Sequence, residues 1–257
     1  PDLGYHYDPI DYIAYLDRYV GCNLTINPAT VIAYYDYPGF WLQDNAAVAC
    51  TGTPLQPIRV VDYRGVQEQP VKLGSYPGNS TGIPFANNRL NGAAAPAAFR
   101  FTEFVRGAHS GYNYYDLYST DSSWKFTTLD VRDCSFYGGS CSIYGDTLDA
   151  TLHNNLFVRE NFSASGPLTL NLRNNLFLHT GVQLELDADG QGTAYDNVFD
   201  HCVLDEACAP GVLAHSHNAY INVKDYDGVQ AQINPLQVDS DMVLASFDYA
   251  VGPLGNF

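Results

Sequence analysis

Lysine is almost missing from this sequence. Lys72, Lys125 and Lys224 are the only three, and basic residues number 12 against 28 acidic ones, a formal net charge of −16. So acidic a surface repels a phosphate backbone, which argues against nucleic acid as a partner. No apolar run approaches the ~20 residues that a membrane-spanning helix needs, so membrane insertion is not expected. The opening residues lack a charged n-region followed by an apolar h-region, and a secretion signal is expected to have been removed or to lie outside this chain. Also missing are any sustained helical period, a Cys-x-x-Cys pair, a G-x-S-x-G elbow, a Walker loop and a dinucleotide fingerprint. Zinc-ribbon, thioredoxin-like, nucleotide and serine-hydrolase chemistry thereby lose their usual marks.

What is present is a repeat. The 257 residues, 46% of them apolar, suffice for one large domain with a sizeable core. Within them a six-residue frame recurs, reading apolar, any, Asn/Asp, Asn, any, aromatic. "VRDCSF" (131–136), "LHNNLF" (152–157), "LRNNLF" (172–177), "AYDNVF" (194–199) and "HSHNAY" (215–220) fill it in turn, and "FRFTEF" (99–104) keeps only its apolar positions. The closing aromatics Phe136, Phe157, Phe177, Phe199 and Tyr220 are 21, 20, 22 and 21 residues apart. A near-constant period in this range marks a solenoid. The pieces between copies are short, alternate apolar with polar residues as in "PLTLNL", and are punctuated by Gly, Asn, Asp and Ser. The fold class expected is all-β, a right-handed parallel β-helix of about 21 residues per coil and roughly ten coils. Repeated residues would then stack on their own equivalents. The aromatics would form one buried column. Asn155, Asn175, Asn197 and Asn218 would stack at a tight bend, where Asn tolerates left-handed φ and its amide can bond from coil to coil.

The first hundred residues carry a related pattern, with "LTINPATVIAYYD" (24–36) and "NAAVACTGTPLQPIRVVDY" (45–63) broken by "NPAT" and "GTPLQP". Together with "DLGYHYDPIDY" (2–12), "VQEQ" (66–69), the "NNLF" coils and the closing "GPLGNF" (252–257), this set resembles a group of uncharacterised bacterial secreted β-helix proteins. The resemblance covers nearly the whole chain. It implies the fold, export, and a module often embedded in longer surface polypeptides; it brings no established chemistry.

Two regions leave the regular frame. Residues 1–20 hold Tyr5, Tyr7, Tyr12, Tyr15 and Tyr19 and fit no coil, so they are read as a segment apart from a β-helix domain over 21–257. That segment either caps its own first coil or packs on a neighbouring subunit. Residues 105–128 exceed one coil by about eleven residues and read as an insertion, of the kind that clusters on the binding face of a solenoid.

Six cysteines, Cys22, Cys50, Cys134, Cys141, Cys202 and Cys208, permit fifteen pairings. The close couples 134–141 and 202–208 suit loop staples, and 22–50 follows by elimination. Disulfides would place the protein outside the cytosol, in agreement with glycosylation sequons at Asn23, Asn79 and Asn161.

Candidate carboxylates for hydrolase or calcium-assisted lyase chemistry are Asp130, Asp133, Asp146, Asp149, Asp187, Asp189, Asp196 and Asp200. Asp133 and Asp196 share the frame positions of Asn154 and Asn174, which assigns them to the bend. "DADG" has the look of a calcium turn, with Asp187 and Asp189 as ligands, but lacks the rest of an EF-hand loop. His215 and His217 occupy frame positions and read as packed rather than metal-binding residues. No cofactor is expected beyond that calcium alternative. The functional expectation is an exported, non-catalytic structural or assembly module of the cell surface or extracellular matrix, self-associating into a homopolymer and carrying glycans. The alternative is a carbohydrate-binding or polysaccharide-degrading β-helix.

Overall fold

The computed structural model describes residues 9–14, 18–34, 39–43, 46–63, 85–88, 95–105, 116–119, 126–145, 148–248, 251–252 and 255–256. These residues form a parallel β-helix. Each regular coil contributes one strand to each of three faces. The first face is an eight-stranded sheet that includes Asp149–His153, Thr169–Arg173 and Gln191–Tyr195. The second is a ten-stranded sheet running from Tyr12–Ala14 to Met242–Leu244, with Leu156–Val158 and Leu176–Leu178 near its middle. The third is a five-stranded sheet that includes Asn161–Gly166 and Gly181–Leu186, preceded by a three-stranded sheet closed by Phe85–Asn88. Every pairing in these sheets is parallel. Eight strands on the first face amount to about eight turns, fewer than the ten expected from the sequence.

Alternation explains why these segments are strands. In Thr169–Arg173 the pattern is exposed, buried, exposed, buried, exposed, with Leu170 and Leu172 pointing into the bore. In-register pairing then places like on like: Leu152 on Leu172, and Phe157 on Phe177. The rings of Phe104, Phe136, Phe157, Phe177, Phe199 and Tyr220 stack in one column, with centroids 4.8, 4.7, 4.8, 5.0 and 5.4 Å apart and planes within 6° of parallel. All six are fully buried. The spacing is that of neighbouring strands, so the backbone ladder sets the stacking distance.

The irregular regions differ from expectation. Tyr12–Ala14 pairs with Val31–Tyr34, and Arg18–Val20 pairs with Phe40–Gln43, so the coil begins inside the segment read as separate. Three-residue strands are too short to show a period of their own, and only their partners reveal them. Likewise Leu117–Ser119, within the expected insertion, is the first strand of the third face. "GTPLQP" forms a turn in which Thr53 and Gln56 exchange backbone hydrogen bonds, and a Cβ on Gly52 would fall 2.3 Å from the Phe101 carbonyl oxygen. Only glycine permits that approach. Among the described residues, no helix is long and apolar enough to cross a membrane.

Candidate functional site

Chemistry-bearing side chains gather at two of the three corners of the coil. At the first corner the two residues of the Asn/Asp-Asn pair divide the work. Asp133, Asn154, Asn174, Asp196 and His217 adopt left-handed φ of 53–60° and point outward, a conformation that Asn, Asp and His tolerate better than other residues. Cys134, Asn155, Asn175, Asn197 and Asn218 follow them and turn inward, all nearly or fully buried. Asn155 Oδ1 accepts from Cys134 N; Asn175 Oδ1 accepts from both Asn155 N and Asn155 Nδ2; Asn197 and Asn218 repeat that pattern one coil on. Each Nδ2 also donates to a backbone carbonyl, those of Val131, Leu152, Leu172 and Ala194 in turn. The ladder satisfies polar groups that the bend would otherwise leave buried and unpaired.

Asp241 ends the ladder, accepting from Asn218 N at 2.8 Å. Its second oxygen lies 2.7 Å from His215 Nδ1, and both side chains are almost wholly buried. The metal alternative for His215 and His217 gains no geometric support, because His215 points into the core and His217 stands outside, bonded to Ser216. Asp241 was missed in the sequence because "VDSDMV" (238–243) has lost the Asn and the aromatic; its only signal is the spacing of 23 residues from Asn218.

Outside the same corner, Asn154 Nδ2 donates to Asp133 and Asn174 Nδ2 to Asn154, while Arg100 and Arg173 pair with Asp133 and Asp196. A shallow groove of about 460 Å³ runs over this track, with Leu156, Leu176 and Val198 on its other side. Among the expected carboxylates, Asp133 and Asp196 thus lie on one track, Asp130 pairs with Arg132, and Asp149 is exposed at the start of its strand. Asp187 and Asp189 occupy an exposed turn closed by Gly190 N donating to the Asp187 carbonyl. Asp146 lies outside the described residues, among which no three His, Cys, Asp or Glu side chains converge on one point.

The second corner carries no sequence motif. Gly138, Arg159, His179, His201 and Asn222 hold positive φ there, and Gly139, Glu160, Thr180, Cys202 and Val223 follow. Thr180 Oγ1 donates to the Phe157 carbonyl, Cys202 Sγ donates to the Phe177 carbonyl, and Glu160 accepts from Gly139 N. Five different residues occupy one structural position, so composition hides a corner that the period alone could have located.

The expected disulfides are not present. All six cysteines are free thiols. Cys134 and Cys202 hold inner slots of different corners, and their sulfurs are committed to the carbonyls of Arg132 and Phe177. Cys141 points into the core from the third face, and Cys208 lies against Leu184 and Leu186. Cys50 is buried, whereas Cys22 is exposed. Close spacing in sequence brought each couple round a corner rather than face to face. Burial pushes the Cys134 and Cys202 thiols up to about 12 and Cys208 to about 11, and raises Cys50 and Cys141 as well. Such protonated thiols are inert.

Of the sequons, Asn161 and Asn23 are exposed, with Asn23 Oδ1 accepting from Ala47 N, while Asn79 lies outside the described residues. Of the tyrosines, Tyr12 is 64% exposed and Tyr19 lies in a strand opposite Trp41; Tyr5, Tyr7 and Tyr15 lie outside the described residues. At that end a cavity of about 430 Å³ opens, lined by Tyr12, Ile13, Ala14, Leu24, Ile26 and Phe40 among others. At the other end, Met242 and Val243 of the last strand are 56% and 41% exposed. Comparison with protein-family models, curated proteins and solved structures finds no match to this chain.

Proposed function

We propose that the chain is an exported, non-catalytic rod of the cell surface or extracellular matrix, joined end to end with copies of itself into a filament. One observation supports this reading most. Tyr12–Ala14 and Met242–Leu244 are the two edge strands of the same ten-stranded parallel sheet, and each presents exposed apolar side chains. Tyr12 and Val243 stand at opposite ends of the inward column, since Tyr12 pairs with Ile32 and Val243 with Tyr220. Edges such as these, unpaired among the described residues, recruit further strands, and a head-to-tail contact that does not close gives a filament. Electron microscopy and sedimentation of the wild type against Tyr12→Lys and Val243→Lys test the reading. Filaments or concentration-dependent rods are expected for the wild type and single particles for both variants; a wild type that stays a single particle at every accessible concentration refutes it. Glycans at Asn23, Asn79 or Asn161 belong to the same proposal, and an intact mass equal to the bare polypeptide in native material removes them.

A second reading, carbohydrate binding, is supported by the groove over the outer corner, where hydrogen-bonding Asp133, Asn154, Asn174 and Asp196 face apolar Leu156, Leu176 and Val198. Sugars present the same combination of polar rim and apolar face. Retention on neutral glycans that Asn154→Gly and Asn174→Gly abolish supports it, and retention unchanged by both refutes it.

A further inference from the structure

At the second corner His179 and His201 stand on adjacent coils, both exposed and both at left-handed φ, 52° and 51°. Their ring centroids are 5.1 Å apart. We propose that these two imidazoles form a binding site for a divalent transition-metal ion of the zinc class, with solvent completing the coordination.

The left-handed backbone alone accounts for histidine at either position, because His is among the residues that tolerate it. Two further observations point to a ligand. The first is the ring separation. With Zn–N bonds of about 2.0–2.1 Å and a tetrahedral angle at the metal, two coordinated imidazoles have centroids about 5.2 Å apart. The solenoid supplies that distance from its own rise, as it does in the aromatic column, and the two rings are tilted by 46° to one another. The second is Asp200. It lies beside His201 with its side chain only 5% exposed, and its Oδ1 is 2.5 Å from His201 Nδ1. A buried carboxylate on Nδ1 fixes the tautomer, leaves Nε2 free to bind metal, and makes that nitrogen a better donor, as carboxylate–histidine pairs do behind zinc ions. His179 is left at the same corner as the second donor.

The surroundings suit a cation. The chain carries a net charge of −16, which raises the local concentration of divalent ions. Along the corner the neighbours are Arg159 beyond His179 and Asn222 beyond His201. The guanidinium stands one coil from His179, a step of about 4.8 Å that lies within a Debye length, so it opposes the cation locally and the wider negative charge of the chain must outweigh it. Because three protein ligands do not converge here among the described residues, the site leaves coordination positions open. Imidazole pairs favour zinc, copper(II) and nickel(II) over calcium or magnesium, which prefer oxygen. The inference stands independently of the filament reading.

Titration of the full-length chain with zinc chloride by calorimetry tests it, in a Cys22→Ser background so that the exposed thiol does not compete. The informative variants are His179→Asn and His201→Asn, since asparagine keeps the left-handed backbone while removing the imidazole. One zinc per chain is expected, weakened at least tenfold by either substitution, with unfolding unchanged. Asp200→Asn should weaken binding by about 10- to 100-fold through His201 alone. No zinc binding by the parent chain, or binding unaffected by both histidine variants, overturns the proposal.

Discussion

Replacing Asn175 by leucine keeps the branched four-atom skeleton of the side chain, adds bulk because two methyl groups replace a planar amide, and removes four hydrogen bonds from a buried corner. Asn175 Oδ1 accepts from Asn155 N and Asn155 Nδ2, and its Nδ2 donates to the Leu152 carbonyl and to Asn197 Oδ1. The residue is 2% exposed, so water cannot take the place of the lost partners. Each intramolecular hydrogen bond contributes about 0.5–1.5 kcal/mol net, and each buried group left unpaired costs about 1–3 kcal/mol. Asn155 retains its bond to the Val131 carbonyl and Asn197 Oδ1 still accepts from Asn175 N, so the losses are partial and coupled. A destabilisation of about 3–6 kcal/mol follows, comparable with much of the stability of an ordinary domain. The control is Asn174→Gly, one residue earlier. It removes an exposed side chain at φ 53°, where glycine carries no strain, and should cost about 1 kcal/mol or less. Guanidinium unfolding followed by circular dichroism measures both, and hydrogen exchange of the Asn155 amide reads the local opening directly. If Asn175→Leu costs less than about 1 kcal/mol, or no more than Asn174→Gly, the ladder does not hold the corner as described.

Phe177→Ala should cost about 3–5 kcal/mol, since it opens a cavity between Phe157 and Phe199 in the fully buried column; unfolding midpoints within error of the wild type would refute the packing. Thiol titration of the unreduced native protein should label Cys22 at once and Cys208 slowly, with six thiols found after denaturation; two or four would restore a disulfide. Stability should be full below about pH 9 and fall toward pH 12, by about 1.4 kcal/mol per pH unit for each of Cys134 and Cys202, because their folded pKa values lie above the unfolded ones and the native state holds the protons longer. A chain whose unfolding midpoint is flat over that window, or one whose Cys134→Ala and Cys202→Ala variants keep the whole decline, would contradict the assignment.

Much of the architecture was legible in the sequence because a solenoid writes its geometry as a period. The frame ending in Phe136, Phe157, Phe177, Phe199 and Tyr220 located one corner and one face, since residues repeated once per coil must stack. What the period could not reveal is which of two adjacent polar residues turns inward, and only the coil places Asn175 inside and Asn174 outside. Nor could it show the second corner, where Gly, Glu, Thr, Cys and Val occupy one position with unlike chemistry, or the strands at 12–14 and 117–119, too short to carry a period. The cysteines misled for a related reason. Nearness in sequence implies nearness in space along a flexible loop, but a coil spreads Cys134 and Cys141 over successive faces, and their sulfurs point to different partners. The pairs His215 with Asp241 and His179 with His201 are 26 and 22 residues apart. The sequence determines that such residues recur about one turn apart; only the folded coil, by winding each turn directly onto the last, decides that they touch.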